Sequence, residues 1–511
     1  MTTAQPGRWA NWIGGLISVC VLALVLQHVR IGWDSPITEA HAWRQTQTAV
    51  TAYYLVGHPF HLAYETPLLG PPWSTPMEFP LYQLATARLV DLTSMNLVSA
   101  GRTVGLFCFF VAAVPLWGIA RILSGSPTLA VGGATLFLSS SFYGFWSRTF
   151  MIESTSLLFS LAFLWAFMTA WNRRSWRWAV LAMGLGALAG LAKSTSFALF
   201  MAAAVIFAVS TRWRCWRESL SSEGFTRTIR LASREVVLMI VILGGALTAT
   251  AWWVSYSDGI KAENPLAVGL VSNALSSWNF GTWDQKLDLA TWKLIAGRAL
   301  ASIGERIPVL VLLSIAATAV WSSGRYRFTF LACLGLFLLG PLVFTNLYYV
   351  HDYYFNANLI FGLGALWFGS LALIQSEHVS VRIAGGIFLL FCVVVQLVDY
   401  PRRYESLIAS NPDDENTAFL KMAERVRKTT PAGSSIVWIT TKAAPVVPFY
   451  GERRALCLTP GPETAATSQA VQNLTGHQVS AIVNSAEDLV TEAWVLRLLK
   501  ESGAAPIVMR P

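Results

Sequence analysis

The stretch NWIGGLISVCVLALVLQHVR, residues 11–30, is followed a few positions later by EAHAWRQTQTA, residues 39–49. The first is long and apolar enough to cross a bilayer, which takes about 20 mostly apolar residues as a helix. The second crowds Glu39, His41, Arg44, Gln45, Thr46, Gln47 and Thr48 beside that crossing, where hydrocarbon rejects such groups. An apolar span that hands over at once to a polar cluster is the signature of a membrane protein with chemistry at its surface.

Composition extends this to the whole chain. Hydrophobic residues make up 54% of the 511 positions and charged residues 13%, about half the charge of ordinary soluble proteins. A polytopic membrane protein follows. The net charge of +9 does not mark a nucleic-acid binder, because the basic residues fall in short links between apolar spans rather than along one face. Cys20, Cys108, Cys333 and Cys392 lie in apolar spans, Cys215 in a basic loop and Cys457 near the C-terminus. With no CxxC or Cys/His spacing, neither a disulfide nor a structural zinc is predicted. Arg8 before a long apolar run without a small-residue cleavage site reads as an uncleaved signal anchor.

Further spans are predicted at 103–122, 128–147, 153–171, 177–192, 195–210, 236–254, 307–322, 328–346, 357–375 and 383–399, giving about eleven crossings. The short pair 177–192 and 195–210 requires a tight polar hairpin at Lys193. An inside N-terminus puts the arginine-rich links NRRSWR (172–177), TRWRCWRESLSSEGFTRTIRLASRE (211–235) and SSGRYR (322–327) in the cytoplasm, as the positive-inside rule requires. The outer face then receives residues 31–102, 255–306, 347–356 and everything after about 400. Segments such as EFPLYQLATARLVDLTS (78–94) and KLDLATWKLIAGRALASIG (286–304) read as interfacial helices on the first and second large outer loops. From about residue 411 the composition turns soluble. SSIVWIT, VPFYGERRALCL and SAIVN read as strands and AWVLRLLKESG as a helix. The predicted architecture is thus a polytopic α-helical membrane domain, residues 1–400, with a small extracytoplasmic α/β domain, residues 401–511.

With sides assigned, the unusual polar groups fall on one. Asp34, Glu39, His41, Arg44, Glu78, Arg102, Arg148, Glu153, Lys193, His351 and Asp352 all lie at or near outer span ends. Each has a plain structural reading. Arg148 can be a snorkelling anchor, Lys193 a hairpin cap, His351 an interface histidine, Glu78 a turn residue and Asp34 a turn cap. Independent structural residues would scatter between sides, and these do not. His41, Arg44, Gln45 and Thr48 are spaced to share one helical face. Thr38 is the expected N-cap, which makes Glu39 the first helical residue, ionised at the positive end of the helix dipole. Outward carboxylates can accept a proton from an attacking hydroxyl, and neighbouring cations can hold a phosphate as charge grows on it. No P-loop and no GxGxxG opens a helix, so a lipid-anchored phosphate fits better than a soluble nucleotide.

EAHAWRQTQTA, EFPLYQ (78–83), SRTFMIES (147–154), GLAKST (190–195) and YVHDYYFN (349–356) occur in this order. The set resembles the bacterial GT-C glycosyltransferases of the dolichyl-phosphate-mannose-protein mannosyltransferase type, relatives of lipid A aminoarabinose transferase, over roughly residues 10–400. That resemblance implies a GT-C fold in the bacterial inner membrane. It also implies transfer, with inversion, of a sugar from a polyprenyl-phosphate donor to a glycan, lipid or protein acceptor on the outer face. In that family an acidic residue of the first outer loop is the base, and Glu39 is the best match. The adjacent Asp–Glu pair of protein mannosyltransferases is absent, since SPIT separates Asp34 from Glu39, so the base stays open among Glu39, Asp34 and Glu78. Arg148, Lys193 and His351, with Arg102, match positions near the lipid phosphate. Glu153 would pair with Arg148, while His41, Arg44, Gln45, Asp352 and Tyr353 support the site. No cofactor is implied; the carboxylates lack metal-ligand spacing, and a divalent ion is left open. A polytopic transporter or flippase is the competing reading, though such proteins place polar sites near mid-membrane on broken helices.

Overall fold

The computed structural model describes residues 8–222, 225–408, 415–441 and 445–510; the expected onset of the soluble region, near residue 411, lies outside them. The apolar stretches are all helical. They form α1 (Arg8–Val29), α4 (Leu97–Ser124), α5 (Pro127–Leu138) with α6 (Ser141–Ser147), α7 (Glu153–Arg173), α8 (Trp176–Ser222) and α9 (Phe225–Ala262), preceded in the first loop by α2 (Ala42–Tyr53) and α3 (Leu81–Thr93). The second large loop carries α10 (Ser276–Phe280), α11 (Trp283–Leu287) and α12 (Leu289–Ile303). After it come α13 (Arg306–Ser323), α14 (Arg327–Val343), the short α15 (Thr345–Val350), α16 (Leu359–Ile374) and α17 (Val379–Ile408). Among the described residues, α4, α7, α8, α9, α13 and α17 are long and apolar enough to cross a membrane by length and composition. Shorter apolar helices, including α5, α14 and α16, fill the bundle between them. The centre is α7, 78% of whose apolar stretch is buried.

The predicted hairpin is present. Lys193 interrupts α8 with an extended backbone (φ −166°, ψ 97°), and the two arms fold back along α7. Lys193 reaches Glu153 at one end of α7 (2.7 Å), while Trp171 Nε1 donates to Thr211 at the other (3.0 Å). The arms pack closely against α7, and a Cβ at Gly186 would meet the Phe163 ring at 2.9 Å. The carbonyl of Leu191, freed by the break, accepts from Phe79 N (3.0 Å), so the first loop satisfies a group the interrupted helix cannot. The stretch read as one span at 128–147 is divided. Ser126 caps α5, and the chain bends at Ser139–Ser140 where Ser140 caps α6 through Tyr143 N.

Beyond α17 lie α18 (Glu415–Thr429), β1 (Ser435–Ile439), α19 (Val446–Gly451), β2 (Arg454–Leu458), α20 (Ala465–Gln472), β3 (Val479–Asn484), α21 (Leu489–Glu501) and β4 (Ile507–Met509). The strands form one parallel sheet in the order β2-β1-β3-β4. Ile436 and Trp438 face α18 and α19, whereas Val437 and Ile439 face α20 and α21. Helices cover both faces, so the strands read as continuous apolar runs. VPFYG, expected at the start of a strand, forms α19 instead. Its Val446, Val447 and Phe449 are buried, which a helical turn achieves across the top of the sheet.

This domain is fastened to the first loop. Leu69 pairs antiparallel with Leu456, Pro67 O accepts from Ala455 N (2.9 Å) and Leu68 O from Cys457 N (2.8 Å), so the loop adds a fifth, short strand to the β2 edge. Glu65 takes two hydrogen bonds from Arg454, both 3.0 Å. Trp73 is buried in the core beneath α20 and α21, and Phe449 packs with Ile37, Tyr82 and Phe150.

Candidate active site

The polar residues picked from the sequence gather at one end of the bundle, the end carrying the large loops, and form three connected groups. The deepest is built on Glu39. Its Oε2 accepts from Arg148 Nη1 at 2.8 Å and its Oε1 from Arg102 Nη2 at 3.5 Å, and the three side chains are 2%, 0% and 0% exposed. The guanidiniums also hold the preceding turn. Arg102 donates to the carbonyls of Gly32, Trp33 and Ser35, and Arg148 to Gly32. Tyr450 of the C-terminal domain closes the turn, its hydroxyl accepting from Ile37 N at 2.5 Å. Asp34 sits exposed on the outside of that turn.

Two expectations are corrected here. The helix begins at Ala42 rather than Glu39, because His41 takes a left-handed conformation (φ 54°) as the residue before it. Glu39 therefore lies in the preceding turn, held by two arginines rather than by a helix dipole. Arg148, expected to pair with Glu153, pairs with Glu39, and neither it nor Arg102 presents its guanidinium to open space.

The second group faces outward. Arg44 Nη2 meets Glu78 Oε1 at 2.5 Å, with side chains 12% and 24% exposed, and Arg44 Nη1 donates to Gln47 at 2.8 Å. Burial opposes ionisation of Glu78, but the charges of Arg44 and Lys193 outweigh it and hold the carboxyl below its usual range. Lys193 Nζ sits 2.7 Å from Glu153 Oε1 and lies over the ring of Tyr354, 4.3 Å from its centroid, and that of Tyr353, 5.3 Å. Gln45 positions the frame, donating to Ala40 O and accepting from Phe150 N, both at 2.9 Å.

The third group comes from the 3-10 turn Asp352–Ala357 and the residue before it. His41 Nε2 is 3.1 Å from Asp352 Oδ1, and Arg403 of α17 approaches the other oxygen at 3.9 Å. Burial disfavours the Asp352 carboxylate, yet the His41 hydrogen bond and the surrounding cations keep its pKa low. His351 is stacked on Tyr353 and flanked by Trp43 and Trp278. Burial first, then the neighbouring His41, push its pKa down to about 3, so the ring is neutral at physiological pH.

Tyr354, Tyr450, Arg403 and Trp43 were not singled out from sequence. Tyr354 stood within the quoted YVHDYYFN; Tyr450 and Arg403 join from positions hundreds of residues away with no local signal. Among the described residues no group of three or more His, Cys, Asp or Glu is placed to hold a metal ion.

Residues 78–233 match the family described as dolichyl-phosphate-mannose-protein mannosyltransferase. No curated protein sequence matches the chain. Two structures of ArnT from Cupriavidus metallidurans are similar in fold. The one bound to undecaprenyl phosphate has a TM-score of 0.57 at 11% identity, and the apo one 0.53 at 10%, each over 96% of this chain and 89% of the other. The archaeal oligosaccharyltransferase AglB from Archaeoglobus fulgidus, in complex with an inhibitory peptide and a dolichol-phosphate, gives 0.52 at 12% identity, over 96% of this chain and 69% of that one. These likenesses bear out the resemblance carried by the motifs at the level of fold.

Proposed function

From the GT-C fold of this chain as premise, we propose that it is an integral membrane glycosyltransferase that moves a sugar from a polyprenyl-phosphate donor to an acceptor hydroxyl. The observation that carries this is the pairing, at one end of the bundle, of a half-exposed ionised carboxylate, Glu78, with a lysine kept close by, Lys193. The similar structures contain a polyprenyl phosphate or dolichol-phosphate, the class of ligand such a site would take. Basic links collect at the opposite end, which the positive-inside rule puts in the cytoplasm. The site and the C-terminal domain then face outward, in a bacterial inner membrane.

Of the three carboxylates left open by the sequence, Glu78 suits a base best. A base must come within hydrogen-bond reach of the hydroxyl it deprotonates. Glu39 has both oxygens engaged by buried guanidiniums, while Glu78 keeps one oxygen outside its Arg44 contact. The acceptor oxygen attacks the anomeric carbon as its proton passes to Glu78. The bond from that carbon to the phosphate oxygen breaks on the opposite face, which inverts the centre. Lys193 stabilises the charge growing on the departing polyprenyl phosphate, and Arg44 orients Glu78. His351, neutral, donates a hydrogen bond rather than a charge. Arg102, Arg148 and Glu39 act one layer behind, fixing the turn from which His41 and Arg44 are presented.

Release of polyprenyl phosphate by the purified full-length chain in proteoliposomes, given a lipid-linked sugar and cell-envelope acceptors, tests the reading. Sugar transfer that stops in Glu78→Gln supports it. Substrate movement across the bilayer without any sugar transfer would assign the chain to the transporters instead.

A further inference from the structure

We propose that a second site, a cleft between α12, α13 and α17 at the loop end of the bundle, binds the phosphate-bearing headgroup of a membrane lipid. The cleft has a volume of 550 Å³ and is lined by Glu305, Arg306, Asp399, Arg402 and Arg403. It is separate from the Glu78–Lys193 pair, and its lining residues are absent from the motifs that pointed to the transferase site.

Three arginines against two carboxylates leave the cleft basic, and the carboxylates are differently placed. Asp399 is buried and accepts a hydrogen bond from Ser141 Oγ at 2.8 Å, so it is already satisfied within the protein. Glu305 is 2.8 Å from Arg402 in a pair whose members are 49% and 63% exposed. Exposed pairs of this kind contribute about 0–1 kcal/mol, so a phosphate can take the place of Glu305 on Arg402 at small cost. Arg306 is exposed and has no ion-pair partner among the described residues. Its guanidinium lies across α12, so close to Gly297 that a Cβ there would meet Nη2 at 2.8 Å. Lys293, one helical turn earlier, is exposed too. Guanidiniums are the side chains best suited to phosphate, because their donors form a planar fork matching two of its oxygens.

The surroundings say that the phosphate belongs to a lipid. Below the arginines the same two helices turn apolar side chains outward: Ile307, Leu310 and Val311 on α13, and Val394 and Val398 on α17 are all exposed. A basic rim above apolar helix faces is complementary to an amphiphile whose headgroup carries negative charge. Arg403 also links the cleft to the catalytic end, since it donates to Ala301 O and approaches Asp352, the partner of His41. The lipid headgroup therefore sits one side chain from the third polar group of the candidate active site.

The test is lipid retention by the full-length chain in phosphatidylcholine nanodiscs containing phosphatidylglycerol, read by native mass spectrometry. The wild type is expected to retain phosphatidylglycerol over phosphatidylcholine by about tenfold or more, the size of one charge-assisted contact. Arg306→Gln/Arg402→Gln loses that preference with an unchanged melting midpoint. Should the double variant unfold, Arg306→Gln alone, at an exposed side chain, makes the same comparison. Equal retention of both lipids by the wild type, or an undiminished preference in the variant, would overturn the proposal. So would displacement of phosphatidylglycerol by inorganic phosphate at equal concentration, which would make the cleft a site for a soluble anion.

Discussion

Replacing Glu39 by Gln separates the structural from the catalytic reading of the first loop. The substitution keeps shape and removes one charge from a triad in which all three side chains are 2% exposed or less. Two guanidiniums then remain buried with no counter-charge. Breaking a buried ion pair by removing one partner costs about 3–5 kcal/mol. The carbonyls of Gly32, Trp33 and Ser35 continue to accept from Arg102, and Gly32 from Arg148, which favours the lower end, about 3 kcal/mol. At about 2 °C per kcal/mol, the melting midpoint falls by roughly 6 °C. The assay is intrinsic-fluorescence melting in detergent beside initial rates of sugar transfer measured well below the midpoint. Destabilisation with most of the rate retained is expected. An unchanged midpoint with a rate lost by a factor of about 100 or more, the size of a missing general base, would refute the reasoning and return the base to Glu39.

Glu78→Gln, in contrast, is expected to lower kcat by about 10²–10⁴ with little change in melting, as single-turnover transfer would show. Lys193→Met strands Glu153 and destabilises; Lys193→Met/Glu153→Gln restores the melting midpoint but leaves the KM for the lipid-linked donor raised by about tenfold or more, one lost charge-assisted contact. His351 carries a folded pKa near 3, so between that value and its ordinary 6.5 the unfolded chain binds the extra proton. Stability is full above pH 6.5 and declines below it, by about 1.4 kcal/mol at pH 5.5. His351→Gln should show a correspondingly shallower loss in melting scans from pH 7 to 5.5. Trp73→Ala removes a buried ring from the C-terminal domain core and costs about 3–5 kcal/mol, visible as faster limited proteolysis of that domain.

The apolar segments were legible because each has to satisfy its own backbone in hydrocarbon, which writes length and composition into consecutive residues. Lys193 was legible as a hairpin for the same reason: two arms too short for one long helix meet at a lone charge. The GT-C fold followed from the order of the motifs. Pairing was not legible. Arg148 and Glu153 are five residues apart and looked like partners, yet Arg148 reaches 109 positions back to Glu39. That choice depends on which carboxylate the fold buries beside it. The left-handed His41 gave no warning either, because the conformation is imposed by contacts with Asp352 and the rings of Trp146 and Tyr353. VPFYG was misread because a short buried apolar run looks alike as strand or helix.

The strand that residues 67–70 lend to the sheet has a consequence in time. Glu65 and Arg454, which flank it, stand 389 positions apart. At about 5–20 residues per second, translation leaves the loop waiting roughly 20–80 s for its partner edge. Through that interval Trp73 has no core to enter, and the turn bearing Glu39 lacks the Tyr450 contact that closes it. A nascent chain stalled anywhere before β2 thus holds its membrane helices without the final clamp on the catalytic loop. Maturation of the site is tied to one of the last parts of the chain to be made.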